Sequence, residues 1–159
     1  MKNVSYFIFA TGFCVVAHAQ APEPWLLPDP IALTEASNAL CIDQVKSTLV
    51  AGALRAEGRS KAEVLALLPE SPKGMLLRVV SAMRESVEDA FDFPELSIHA
   101  QFSYRSEACF RETLSGVRVP RLAAIRTQVE KCQQVHGTEK SNELFKCVET
   151  VVRNAEPQL

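Results

Sequence analysis

The chain has 159 residues, 47% hydrophobic and 23% charged, with 17 basic against 19 acidic side chains. That near-neutral balance argues against the strongly basic patch of a nucleic-acid binder, and no apolar run after residue 19 approaches the ~18 residues of a membrane span. A chain of this length is one ordinary domain, able to bury roughly two thirds of its surface.

Residues 1–19 read as a secretory signal peptide. Lys2 supplies the positive n-region, Val4 to Val16 the apolar run, and Ala17-His18-Ala19 the small-x-small cleavage pattern. Cleavage would leave Gln20 or Ala21 as the N-terminus and remove Cys14 and His18, so that four cysteines and two histidines remain. Lipid anchoring through Cys14 is the alternative, but Phe13 stands where a lipoprotein site has a small residue. The single-charge n-region looks bacterial, so the predicted compartment is periplasmic or extracellular. Residues 20–30 form a Pro-rich arm, with Pro22, Pro24, Pro28 and Pro30 around Trp25, Leu26 and Leu27. Such a run is not helical. It either packs Trp25 and the leucines onto the body or stays free for a partner.

From residue 31 to 159 the apolar spacing predicts a single all-α domain of about six helices, a compact four-helix body (31–115) plus a C-terminal hairpin (120–155). Asp29-Pro30 opens the first helix, whose stripe is Leu33, Ala36, Leu40, Val45, Leu49, Ala53 and Ala56, and Gly58 closes it. Ser60-Lys61-Ala62-Glu63 is a capping box for a short helix from Lys61 to Leu68. Pro69 and Pro72 interrupt the chain before a third helix from about Lys73 to Phe91, with Leu76, Val79, Val80, Met83, Val87 and Phe91 on one side. Ser97 caps a fourth helix running to about Leu114, with Ile98, Phe102, Tyr104 and Cys109 inward. Pro120 is placed in the first turn of a fifth helix carrying Leu122, Ile125, Val129 and Cys132. After Gly137, Ser141 caps a sixth with Leu144, Phe145, Val148, Val151 and Val152.

Four cysteines in an exported chain predict two disulfides. Cys132 and Cys147 are equidistant from the turn between Gly137 and Ser141, which places them opposite each other in an antiparallel hairpin. Cys132–Cys147 is therefore the preferred pair, leaving Cys41–Cys109. A zinc site lacks support, because no two cysteines stand two to four residues apart. No metal or cofactor is expected.

Candidate chemistry is sparse. His99 and His136 fall at helix ends, and no nucleophile elbow, HExxH helix or phosphate loop occurs. The unusual charge feature is an acidic cluster of Glu85, Glu88, Asp89, Asp92 and Glu95 without a basic residue. Glu85, Glu88 or Asp89, and Asp92 share a helix face and repel one another unless something answers them. The face is either solvated or a docking patch for a basic partner. An arginine-rich segment follows, in which Arg105, Arg111, Arg118, Arg121 and Arg126 outnumber Glu107 and Glu112. The two segments either pair internally or present two electrically distinct faces that steer a partner.

The order Ala39-Leu40-Cys41, Gly58-Arg59-Ser60 before a capped helix, then Tyr104 and Cys109, resembles small exported helical proteins of bacteria without assigned function. The disulfide-held helices also look broadly like the helical periplasmic immunity proteins that neutralise secreted cell-wall amidases. The resemblance implies an all-helical fold, and the shortage of catalytic or metal-binding groups counts against an enzyme. The sequence thus points to a non-enzymatic interaction protein, possible partner-binding residues being Glu85, Glu88, Asp89, Asp92, Arg118, Arg121 and Arg126. A module for a small apolar ligand and an envelope chaperone are the alternatives.

Overall fold

A computed structural model of the chain describes residues 30–116 and 118–155, with side chains from Ala39 onward except those of Met75, Leu114 and Ser115. The expected signal peptide and the arm before Pro30 lie outside the described residues. Within them the protein is all-α, with helices α1 (Pro30–Ala56), α2 (Lys61–Leu65), α3 (Met75–Asp92), α4 (Ile98–Ser115), α5 (Leu122–His136) and α6 (Asn142–Asn154).

Local chemistry starts several helices as expected. At α2 the Ser60 hydroxyl accepts from the Glu63 amide, and the Glu63 carboxylate accepts from the Ser60 amide at 2.8 Å. Those bonds from Ser60 hold the Glu63 carboxyl below its usual range. Ser97 and Ser141 accept from the amides of Ala100 and Leu144 at 3.2 and 3.0 Å. Gly116 caps α4 in the left-handed region, φ 66°, where a side chain would be strained. Two boundaries differ. α2 stops at Leu65, because the amides of Leu67 and Leu68 bond three residues back, to Val64 and Leu65, and Pro69 follows. Pro120 precedes α5 instead of entering its first turn; Arg121 is the N-cap, and the Pro120 carbonyl accepts the Tyr104 hydroxyl at 2.9 Å.

The long helices pack around α4. Cys41–Cys109 joins α1 to α4, and at the far end Gly52 faces Ile98 so closely that a Cβ on Gly52 would lie 2.4 Å from Ile98 Cδ1. These two contacts set α1 antiparallel to α4. α3 runs parallel to α1, the Arg55 guanidinium donating to the Ala90 carbonyl. Cys132–Cys147 ties α5 to α6, with Cα atoms 5.7 Å apart. Both disulfide pairings match the expected ones. Gln133 fastens the hairpin to the α3–α4 turn, its amide nitrogen donating to the Glu95 carbonyl at 3.0 Å and its oxygen accepting from the Ser97 amide.

Two apolar clusters hold these elements. The larger joins Leu96, Ala100, Tyr104 and Ala108 to Leu122, Ile125 and Val129 of α5 and Leu144, Val148 and Val152 of α6. The smaller joins Ala51, Val64, Val87 and Ala90. α4 packs against α1, α3, α5 and α6, so Gln101, Ser103, Arg105 and Glu107 are buried along with its apolar residues.

The inward face of α1 is a correction to the expected stripe. Ser47, Thr48 and Ala51 are buried with Val45, whereas Leu49 is 38% exposed and Ala53 and Ala56 are exposed. Small polar residues occupy the close approach to α3 and α4, and larger aliphatics are left outside. The side chains of Leu33 and Ala36 lie outside those described. On α3, Leu76 is 51% exposed instead of buried, while Val80, Ser86, Val87 and Ala90 face inward. The expected inward residues of α5 are all buried; on α6, Leu144, Val148 and Val152 are buried, and Phe145 and Val151 half-buried.

Candidate functional site

The site is built where α3 passes α4. Glu85 and Asp89 stand one helical turn apart on α3, so both carboxylates reach the same point on the neighbouring helix. That point is Arg105. Its guanidinium donates to Asp89 Oδ2 at 2.8 Å and to Glu85 Oε2 at 3.3 Å. The other Glu85 oxygen meets Arg121 at 3.1 Å, just past the α4–α5 connection. Tyr104, beside Arg105, is fixed by its hydrogen bond to Pro120. Glu112 Oε1 accepts from the Val119 amide at 3.1 Å and so positions the same connection.

Burial shapes the electrostatics. The Arg105 side chain is 7% exposed. Burial alone would lower its pKa, but Tyr104, Asp89 and Glu85 together raise it above the usual arginine value. Desolvation pushes the Asp89 carboxyl up to about 6 against the opposing pull of Arg105, and the neighbouring Glu85 and Glu88 add to the rise. Burial likewise raises the Tyr104 hydroxyl, which therefore stays a neutral donor. Arg105 Nε is buried without a hydrogen-bond partner among the described residues.

Beside this network, at the end where α3 begins and α4 ends, lies a groove of about 770 Å³. Leu40 of α1, Leu77 and Ala82 of α3 and Val119 supply apolar surface, while Arg78, Arg105, Arg118 and Arg121 bring positive charge. Arg105 and Arg121 are committed to carboxylates. Arg78 and Arg118 are exposed and have no ion-pair partner among the described residues. Glu85 and Glu112 are the acids of the lining.

The acidic and arginine-rich segments therefore meet. Glu85 and Asp89 share Arg105, Asp92 binds Lys61 at 2.7 Å, and Arg126 reaches Glu95 at 3.5 Å while lying over the Phe93 ring. Glu88 is half-buried beside Asp89, without an ion-pair partner among the described residues. Of the candidate residues, Glu85, Arg118 and Arg121 line the groove; Asp89 stands behind Arg105, and Asp92 and Arg126 lie elsewhere. Arg105 itself was not singled out as a site residue. Its signal was the unanswered Glu85 and Asp89 pair, which demands a cation from another helix. Glu107 pairs with Arg153 at 2.8 Å, and the Arg111 guanidinium donates to the Val152 carbonyl at 2.7 Å, anchoring α6 to α4.

Among the described residues no cluster of His, Cys, Asp and Glu could hold a metal ion, and no helix is long and apolar enough to cross a membrane. His136 is exposed; His99 is half-buried beside a smaller pocket of about 370 Å³ with Phe102 and Phe145. No protein-family model, curated protein or solved structure matches the chain.

Proposed function

We propose that this chain is an exported, non-enzymatic helical protein that binds another protein, taking an apolar and acidic segment of that partner in the groove between α1, α3 and α4. The observation that carries the reading is the combination, in one groove, of apolar Leu40, Leu77 and Val119 with Arg78 and Arg118, which have no ion-pair partner among the described residues. An extended segment with aliphatic and carboxylate side chains answers both. Rigid walls support it: Cys41–Cys109 ties α1 to α4 and Arg105 ties α3 to α4, so less ordering is required on binding. Two disulfides accord with an oxidising compartment outside the cytoplasm. An inhibitor or immunity-type binder is the narrower form of this reading, resting on the broad likeness of a disulfide between the first helix and a later one, Cys41–Cys109, to helical periplasmic immunity proteins.

Selection from a displayed random-peptide library tests it, against the unaltered chain and against Arg78→Glu/Arg118→Glu in parallel. The expected result is enrichment of sequences mixing aliphatic residues with Asp or Glu on the unaltered chain, lost on the variant. Enrichment of basic sequences, or of the same sequences on both, would overturn it. A small apolar ligand is the second reading, favoured by the groove's volume, which falls within the ~300–1,000 Å³ of small-molecule sites. Native mass spectrometry of freshly purified protein would show it as added mass.

A further inference from the structure

We infer that the outer face of α1 is a contact between two copies of this chain: Ala39, Ile42, Lys46, Leu49, Ala53 and Ala56 form a seam that pairs antiparallel with the same residues of a second copy. The groove takes Leu40 and Gln44 from α1, and neither belongs to this face, so the inference goes beyond partner binding and stands without it.

Composition comes first. From Ala39 to Ala56 the only charged residues are Asp43, Lys46 and Arg55, so this stretch of α1 is apolar on both sides. A helix of that kind is ordinarily covered all round, yet α1 packs chiefly on α3 and α4. Its inner side holds Val45, Ser47, Thr48 and Ala51. Left outside are Ile42 at 50% exposure, Leu49 at 38% and Val50 at 54%, with Ala39, Ala53 and Ala56 also exposed. Exposed aliphatics in a row along one helix mark an interaction surface.

The seam is self-complementary. Its residues alternate steps of three and four, the repeat by which one helix meets another along its length. Ala39 and Ala56, Ile42 and Ala53, and Lys46 and Leu49 are each equidistant from the point between Ser47 and Thr48. A two-fold axis at that point therefore sets each residue opposite its mate on the second copy, the isologous contact commonest between identical chains. Large meets small at Ile42 and Ala53, and the alanines at both ends let the backbones approach. Lys46 decides the direction. A parallel pair stacks Lys46 on Lys46, whereas the antiparallel pair lays its aliphatic stem along Leu49 of the second copy. Lys46 and Asp43 have no ion-pair partner among the described residues. In the antiparallel register Asp43 of the second copy lies about 9 Å further along the axis, within reach of an extended lysine. A stripe about 26 Å long and about 10 Å wide covers less than the ~800 Å² per partner of a standard stable interface. The pair is therefore reversible, and a lone lysine in its seam fixes orientation at a cost in affinity.

Sedimentation velocity between about 1 µM and about 1 mM covers the range of a reversible pair. It compares the unaltered chain with Ile42→Lys, Ala53→Glu, the two combined, Lys46→Leu, and the control Leu67→Glu, an exposed residue beyond α2. The expected result is a monomer–dimer equilibrium that each of Ile42→Lys and Ala53→Glu weakens at least about tenfold. The combined variant should recover much of that loss, because Ile42 faces Ala53 of the second copy; the two are about 16 Å apart within one helix and cannot pair there. Lys46→Leu should tighten the pair about tenfold, and the control should leave it unchanged. The altered side chains are all exposed, and neither the recovery nor the tightening can be imitated by a fold defect. A monomer across the whole range, a dimer indifferent to the seam variants, or a combined variant no tighter than the single ones would overturn the inference. Peptide selection on the groove reads a different face, so either conclusion can fail alone.

Discussion

Replacing Arg105 by methionine isolates the clamp between α3 and α4. Methionine fills much of the aliphatic volume but removes the charge shared by two carboxylates. The losses are unequal. Glu85 keeps Arg121 at 3.1 Å, whereas Asp89 loses its partner at 2.8 Å. Removing one member of a buried pair typically costs about 3 to 5 kcal/mol. The carboxylate side chains retain 17% and 30% exposure, which places the expected loss near the lower end, about 3 kcal/mol at pH 8. The sign of the pH dependence follows from Asp89. Its carboxyl is already raised to about 6 in the folded protein, so the folded state binds a proton more readily than the unfolded one. Stability from this group is therefore fully present below pH ~4 and lost as pH rises through about 6. Without Arg105 the carboxyl rises further, and the variant begins to regain stability at a higher pH than the parent. The gap between them should shrink by at least about 1 kcal/mol, the equivalent of one pKa unit, between pH 8 and pH 5. Urea unfolding followed by far-UV circular dichroism at several pH values measures this, and Asp89→Asn/Arg105→Met should restore much of the loss. A gap below about 1 kcal/mol at pH 8, well short of the buried-pair range, or one independent of pH, would refute the reasoning.

Three further outcomes are expected. Removing Cys41–Cys109, which closes a sequence separation of 68, should cost about 4 kcal/mol by chain entropy, against about 3 kcal/mol for Cys132–Cys147 at a separation of 15; paired Cys→Ala variants in denaturant titrations give the order. Gly52→Ala should destabilise by about 1 to 2 kcal/mol, because overpacking against Ile98 exceeds the gain in helix propensity. In an Ile98→Ala background, where the Ile98 atoms at 2.4 and 2.6 Å are gone, the same change should stabilise by up to about 1 kcal/mol in a double-mutant cycle. Tyr104→Phe should cost about 1 to 3 kcal/mol by leaving the buried Pro120 carbonyl unpaired, and amide exchange should rise at Val119, whose N–H bonds Glu112 in the same connection.

How far the fold could be read depended on the range of the interaction. Ser60, Ser97 and Ser141 act within three residues of themselves, so their caps were legible as short patterns. Cys132–Cys147 followed from symmetry about a turn. The inward faces of α5 and α6 were legible because each packs one apolar stripe. α1 was misread because its close approach to two helices selects small residues: Ser47 and Thr48 go in and Leu49 stays out. α4 has no solvent side of ordinary width, and its Gln101 and Arg105 are buried although their polarity suggests surface.

The same division separates the candidate site from the scaffold. Helical spacing alone put Glu85 and Asp89 on one face and showed that their charges needed an answer. Which cation answered could not be read along the chain, since Arg105 lies 16 residues beyond Asp89 and 20 beyond Glu85, and several arginines were eligible. Packing α3 antiparallel to α4 selected Arg105, gave Arg121 a share of Glu85, and left Arg78 and Arg118 on a groove without ion pairs among the described residues. Local hydrogen bonds and periodicity specify helices and their ends; burial of a charge, and the opening of a groove, come into being only when distant segments share one volume.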